Sequence, residues 1–156
     1  MAADLICQPS APARARLVLL HGWGADAGDL MPLGQSLAEA IATPLELVAL
    51  QAPQLQTQGS GRQWYGLFPA DWAAVPAAVE ALKERINNLS SGEIPLEATV
   101  LLGFSQGGAM AVAAGCDLPL AGLIACSAYP HPNWQAPVIR PPVLLLFREG
   151  PGQSFL

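Results

Sequence analysis

Apolar residues follow two rhythms along this chain. Short unbroken runs recur at Arg16 to Leu20, Leu45 to Leu50, Ala98 to Leu102, Ala121 to Ala128 and Pro142 to Phe147. Runs of this length, with no polar alternation, predict strands buried on both faces. Between them the spacing changes to that of a helix. Leu30, Leu33, Leu37 and Ile41 share one helical face, in a segment that Asp26 or Asp29 can cap and that runs to about Ala42. A second helix is expected from a cap at Asp71 to about Leu89, with Pro76 as a kink or a late start. Gln106 to Gly115 is a third, made of small residues. Leu5 to Cys7 reads as a short edge strand, and Ala52 to Pro69 as a long loop. Such a loop in a compact domain is often functional. Strands alternating with helices predict a mostly parallel sheet with helices on both faces.

Composition narrows the class. The chain has 156 residues, one domain by length, and is 52% hydrophobic but only 12% charged. Its net charge of −5 offers no basic stripe for phosphates, so nucleic acid is not expected as a partner. Cys7, Cys116 and Cys126 form an odd set without metal spacing. They predict free thiols in a reducing cytoplasm and no metal site. No secretory pattern opens the chain, and no apolar run is long enough to span a bilayer.

The candidate chemistry lies at two glycine turns. Gly103-Phe104-Ser105-Gln106-Gly107-Gly108 follows one strand and opens one helix. Strand, Gly-x-Ser-x-Gly, helix is the context of a nucleophile elbow, in which a tight turn exposes the serine. The helix aims its first N–H groups at the space beside the Ser105 hydroxyl. His21-Gly22-Trp23-Gly24 ends another strand at the same sheet edge, where the active sites of parallel sheets gather. The Trp23 and Gln106 amides are therefore the expected oxyanion donors, with Ser105 the expected nucleophile. His21 precedes Ser105 and is expected only to shape its turn.

These turns, together with Arg62-Gln63-Trp64-Tyr65 and the Ala109-Met110 that follows the elbow, resemble the phospholipase/carboxylesterase family of α/β-hydrolases. Acyl-protein thioesterases and small carboxylesterases belong to it. The resemblance runs from about Arg16 to about Leu146. It implies cofactor-free hydrolysis of carboxylic esters or thioesters, from small acyl esters to lipids or acylated proteins. It also implies that Trp64 stands near the acyl pocket, with a purely structural role for the ring as the alternative.

The resemblance breaks after the last apolar run. The family continues with His-Gly-x-x-Asp, whose aspartate orients a later catalytic histidine. Here the positions read Phe147-Arg148-Glu149-Gly150-Pro151, with Pro151 in the aspartate's place. A truncated α/β-hydrolase domain is expected, lacking the last strand and helix, with 147–156 as a non-native or frameshifted tail. After Ser105 the remaining acids are Asp117 and Glu149, and the remaining histidine is His131. Asp117 falls at the far end of the elbow helix. Glu149 follows the right strand but has no histidine to orient. His131 follows the fourth strand, at the correct edge for a substitute base, but sits in a Pro-rich loop and reads as an exposed loop residue. Two readings stand: a serine hydrolase, and an inactive pseudoenzyme or acyl- or partner-binding module. In either case a sheet ending on an unpaired apolar strand is expected to self-associate.

Overall fold

The computed structural model describes residues 3–90 and 92–148. The positions of Glu149 and Pro151 lie outside them, as does most of the proposed tail. Six strands form the main sheet. They are β1 (Leu5–Cys7), β2 (Ala15–Leu20), β3 (Leu45–Leu50), β6 (Thr99–Phe104), β7 (Gly122–Cys126) and β8 (Val143–Leu146). Their spatial order is β1-β3-β2-β6-β7-β8. Every pairing is parallel except β1 on β3, which is antiparallel. This is the mostly parallel sheet of the α/β-hydrolase class.

Parallel strands need helical crossovers, and three helices supply cover. They are α1 (Met31–Ala40), α2 (Val75–Leu89) and α3 (Gln106–Gly115). Two cores result. On one face Leu17, Leu19, Leu47 and Leu102 pack beneath Leu30, Met31 and Leu37. On the other Val18, Leu20, Val48 and Leu101 meet Val79, Leu82 and Ile86 of α2 and Met110 and Ala114 of α3. Residues of β2, β3 and β6 alternate between the two cores, which is why their apolar runs are unbroken, whereas β8, expected to be buried on both faces, is exposed along its length.

Several boundaries differ from expectation. Helix α1 starts at Met31, with Leu30 in the N-cap position, and ends at Ala40, and neither Asp26 nor Asp29 caps it. The Asp26 carboxylate instead accepts from the Gly28 amide, closing a turn ahead of the helix, and Pro32 sets the first helical turn. Asp71 caps only a 3-10 turn at Trp72–Ala74, and α2 begins at Val75 with Pro76 in its first turn. Pro76 is thus a late start, not a kink. The long loop contains a two-stranded hairpin, β4 (Gln54–Leu55) with β5 (Arg62–Gln63). Strand β6 continues through Gly103 and Phe104, so it delivers the chain directly to Ser105. Strand β7 is shorter than its apolar run, because Ser127 turns to a φ of 49°. Among the described residues no helix is long and apolar enough to cross a membrane.

Candidate active site

Ser105 stands between β6 and α3 with φ 53° and ψ −116°. A positive φ is costly for a residue with a side chain, and non-glycine residues persist there only where the surroundings impose it. The surroundings here are glycines. A Cβ on Gly103 would lie 2.2 Å from the Gly107 carbonyl oxygen. One on Gly107 would lie 2.2 Å from the Leu20 carbonyl oxygen and 2.4 Å from that of His21. Strand β6, helix α3 and the end of β2 therefore approach closer than any side chain permits. The Ser105 amide donates to the Cys126 carbonyl at 2.9 Å, fixing the turn against β7.

The second glycine turn meets the first. A Cβ on Gly22 would lie 3.4 Å from the Ser105 Cβ. The next residue, Trp23, is thereby carried to the same edge. The turn is strapped to the hairpin: the Gly24 amide donates to the Arg62 carbonyl at 2.9 Å, and the Arg62 amide to the Ala25 carbonyl at 2.8 Å. The Ala25 amide donates to the Gly22 carbonyl at 3.3 Å. Among the described residues the Trp23 amide has no acceptor. The Gln106 amide is the first of α3, where no intrahelical acceptor exists. The Trp23 indole donates to the Gln63 side chain at 3.0 Å, and its ring meets Phe68 edge-on.

His21 is 1% exposed, and its ring is fully engaged. The Ala52 amide donates to Nε2 at 3.1 Å, so Nδ1 carries the proton and donates to the Gly22 carbonyl at 2.8 Å. Burial lowers its pKa despite that carbonyl bond. It is a turn-shaping residue, as its position ahead of Ser105 implied.

Trp64 is 2% exposed, and its indole donates to the His21 carbonyl at 2.9 Å. Its large ring fills core space beneath the histidine turn, with ring centroids of His21 and Trp64 5.6 Å apart. His131 is not an exposed loop residue: it is 6% exposed. Its Nε2 lies 3.0 Å from the Tyr65 hydroxyl, which lies 2.7 Å from the Tyr129 hydroxyl. Burial depresses the His131 pKa and raises those of both tyrosines. Asp117 is tied to Lys83 at 2.6 Å, at the C-terminal end of α3. Among the described residues neither histidine bonds to the Ser105 hydroxyl.

The Gln106 side chain has a role that its motif position did not disclose. It is fully buried, accepts from the Trp64 amide at 3.0 Å and donates to the Tyr65 carbonyl at 2.9 Å. A side-chain amide carries both an acceptor and a donor, so it can satisfy a neighbouring N–H and C=O together. It joins the elbow to the segment after the hairpin. The signal was present in sequence, since Arg62-Gln63-Trp64-Tyr65 and Ser105-Gln106 are both motif segments, but nothing in their spacing shows that they touch.

Similarity to known proteins follows the same lines. A sequence model described as phospholipase/carboxylesterase matches residues 1–140. Among solved structures, esterase PE8 gives a TM-score of 0.79 at 29% identity, over 93% of this chain and 74% of that one. A carboxylesterase from Mesorhizobium loti gives 0.70 at 21%, over 83% of this chain and 62% of that one. Acyl-protein thioesterase 2 from Zea mays gives 0.58 at 20%, over 83% and 63% respectively. The last two likenesses concern the fold, and the chain spans less than two thirds of the length of each.

Proposed function

The chain belongs to the phospholipase/carboxylesterase family, and from that membership we propose that its site hydrolyses carboxylic esters or thioesters through Ser105. The observation that carries the proposal is the positive φ of Ser105 at the β6–α3 junction, held by glycine contacts. Strain of this kind projects the hydroxyl beyond the sheet edge. A base takes the Ser105 proton, Oγ attacks the carbonyl carbon, and the Trp23 and Gln106 amides receive the oxyanion. The alcohol or thiol leaves, and water then releases the acyl group. Trp64 serves this site as a buried strut. Phe104, which is 42% exposed, and Phe68, which is 69% exposed, offer apolar surface to an acyl chain instead. Three thiols that pair with none of the described cysteines fit a reducing cytoplasm.

A specific observation favours a second reading. Both histidines are bound elsewhere, so the proposed nucleophile and oxyanion donors have no histidine base among the described residues. Under that reading the 156-residue chain binds acyl groups and turns them over very slowly. Hydrolysis of a p-nitrophenyl ester and of an S-acyl thioester, each with and without added imidazole, tests both. A slow basal rate, raised by imidazole more in the parent than in Ser105→Ala, supports the serine mechanism. Equal rates in the two proteins with imidazole present rule it out. Rapid turnover without imidazole, abolished by Ser105→Ala, would exclude the base-deficient reading.

A further inference from the structure

The ring of His21 is buried against the turn that follows β2 and meets one peptide of that turn, the one joining Gly22 to Trp23. The carbonyl of this peptide accepts twice, from His21 Nδ1 at 2.8 Å and from the Ala25 amide at 3.3 Å. In a planar trans peptide the N–H points opposite to the C=O. Whatever holds the Gly22 carbonyl therefore aims the Trp23 N–H, which has no acceptor among the described residues. The flanks of the peptide are anchored. The Trp64 indole donates to the His21 carbonyl on one side, and the Gly24 amide to the Arg62 carbonyl on the other. A single peptide between fixed flanks still flips, by opposite changes of ψ at Gly22 and φ at Trp23. Glycine at the first of these positions leaves that flip sterically open. The turn thus needs a lock on the Gly22 carbonyl.

We propose that His21 is a positioning residue for the reaction: its Nδ1–H holds the Gly22–Trp23 peptide in the orientation that turns the Trp23 N–H toward the reacting carbonyl oxygen. The proposal rests on the serine mechanism given above. The tautomer it needs is set from behind. Ala52 is fully buried, and its amide donates to His21 Nε2 at 3.1 Å. An amide N–H only donates, so Nε2 stays bare and Nδ1 carries the proton. Turning the ring over would set carbon atoms against both the Ala52 N–H and the Gly22 C=O. The two bonds therefore support each other, and the ring has one orientation and one tautomer. His21 takes no proton from Ser105. It acts through the donor it aims, whose value is greatest where negative charge develops on the oxygen. Loss of the lock is expected to lower kcat and to leave KM nearly unchanged.

Two amide variants separate the two bonds. In His21→Asn the side-chain nitrogen stands in the place of Nδ1 and can donate to the Gly22 carbonyl. In His21→Gln the side-chain oxygen reaches the place of Nε2 and can accept from the Ala52 amide, with no donor left for Gly22. Each variant keeps one buried bond and loses one, so thermal melts are expected to show similar destabilisation. The rate to compare is imidazole-assisted hydrolysis of a p-nitrophenyl ester in excess of that of Ser105→Ala. Its kcat is expected to fall about tenfold or more in His21→Gln, with KM within about twofold, and less than about threefold in His21→Asn. Equal losses in the two variants, or no loss in His21→Gln, overturn the proposal. A parent rate no greater than that of Ser105→Ala removes the serine mechanism itself, and the proposal with it. Nitrogen NMR of the labelled parent needs no variant to fold. It is expected to show the Nδ1–H tautomer of His21 at neutral pH, and the Nε2–H tautomer would overturn the proposal whatever the rates.

Discussion

At the scale of single residues, two buried imidazoles set a pH dependence: His21, beneath the glycine turn of the site, and His131, bonded to Tyr65. Each sits neutral in the fold, with burial as the main cause of its lowered pKa. In the unfolded chain both titrate near 6.5. As pH falls through that value, the unfolded state takes up protons that the folded state refuses. The contribution is fully present above about 6.5 and is lost as pH falls toward the lower folded values. The melting temperature is therefore expected to drop between pH 7 and pH 5. His131→Gln should flatten part of that slope while keeping a partner for the Tyr65 hydroxyl. A melting temperature unchanged over this range would show that neither imidazole is held neutral.

At the scale of elements, the elbow and the hairpin segment are one unit joined by Gln106. Gln106→Ala leaves the Trp64 N–H and Tyr65 C=O buried without partners, at a cost of about 2–4 kcal/mol. Urea denaturation is the measurement, and a loss below about 1 kcal/mol would mean that water replaces the amide. This join also marks where sequence reading succeeds and where it stops. The elbow was legible because its chemistry is local: Gly103, Ser105 and Gly107 impose one turn on whatever surrounds them. The strand cores were legible because burial on both faces leaves no polar alternation. The helix starts were misread because an aspartate serves a turn as readily as a cap, as Asp26 does. His131 was misplaced because burial is a property of the packed molecule. His131 meets a tyrosine some 66 residues earlier in the chain.

At the scale of the whole molecule, the architecture brings the two glycine turns to one sheet edge. Strands β2 and β6 are parallel neighbours, with Leu20 beside Gly103, so the turns that follow them emerge together. Topology alone thus places Trp23 near Ser105, across a sequence separation no local motif spans. The same topology sends Asp117 to the opposite end of α3, where it pairs with Lys83. The site therefore has its candidate nucleophile and its candidate oxyanion donors on one edge, with Asp117 and both histidines engaged elsewhere. Labelling with a fluorophosphonate in the presence of imidazole tests this account most directly, with the modified residue identified by mass spectrometry of the digested protein. The account predicts one adduct, on the peptide containing Ser105, that disappears in Ser105→Ala. Labelling that persists in Ser105→Ala, or no adduct at all with imidazole supplied, would contradict it.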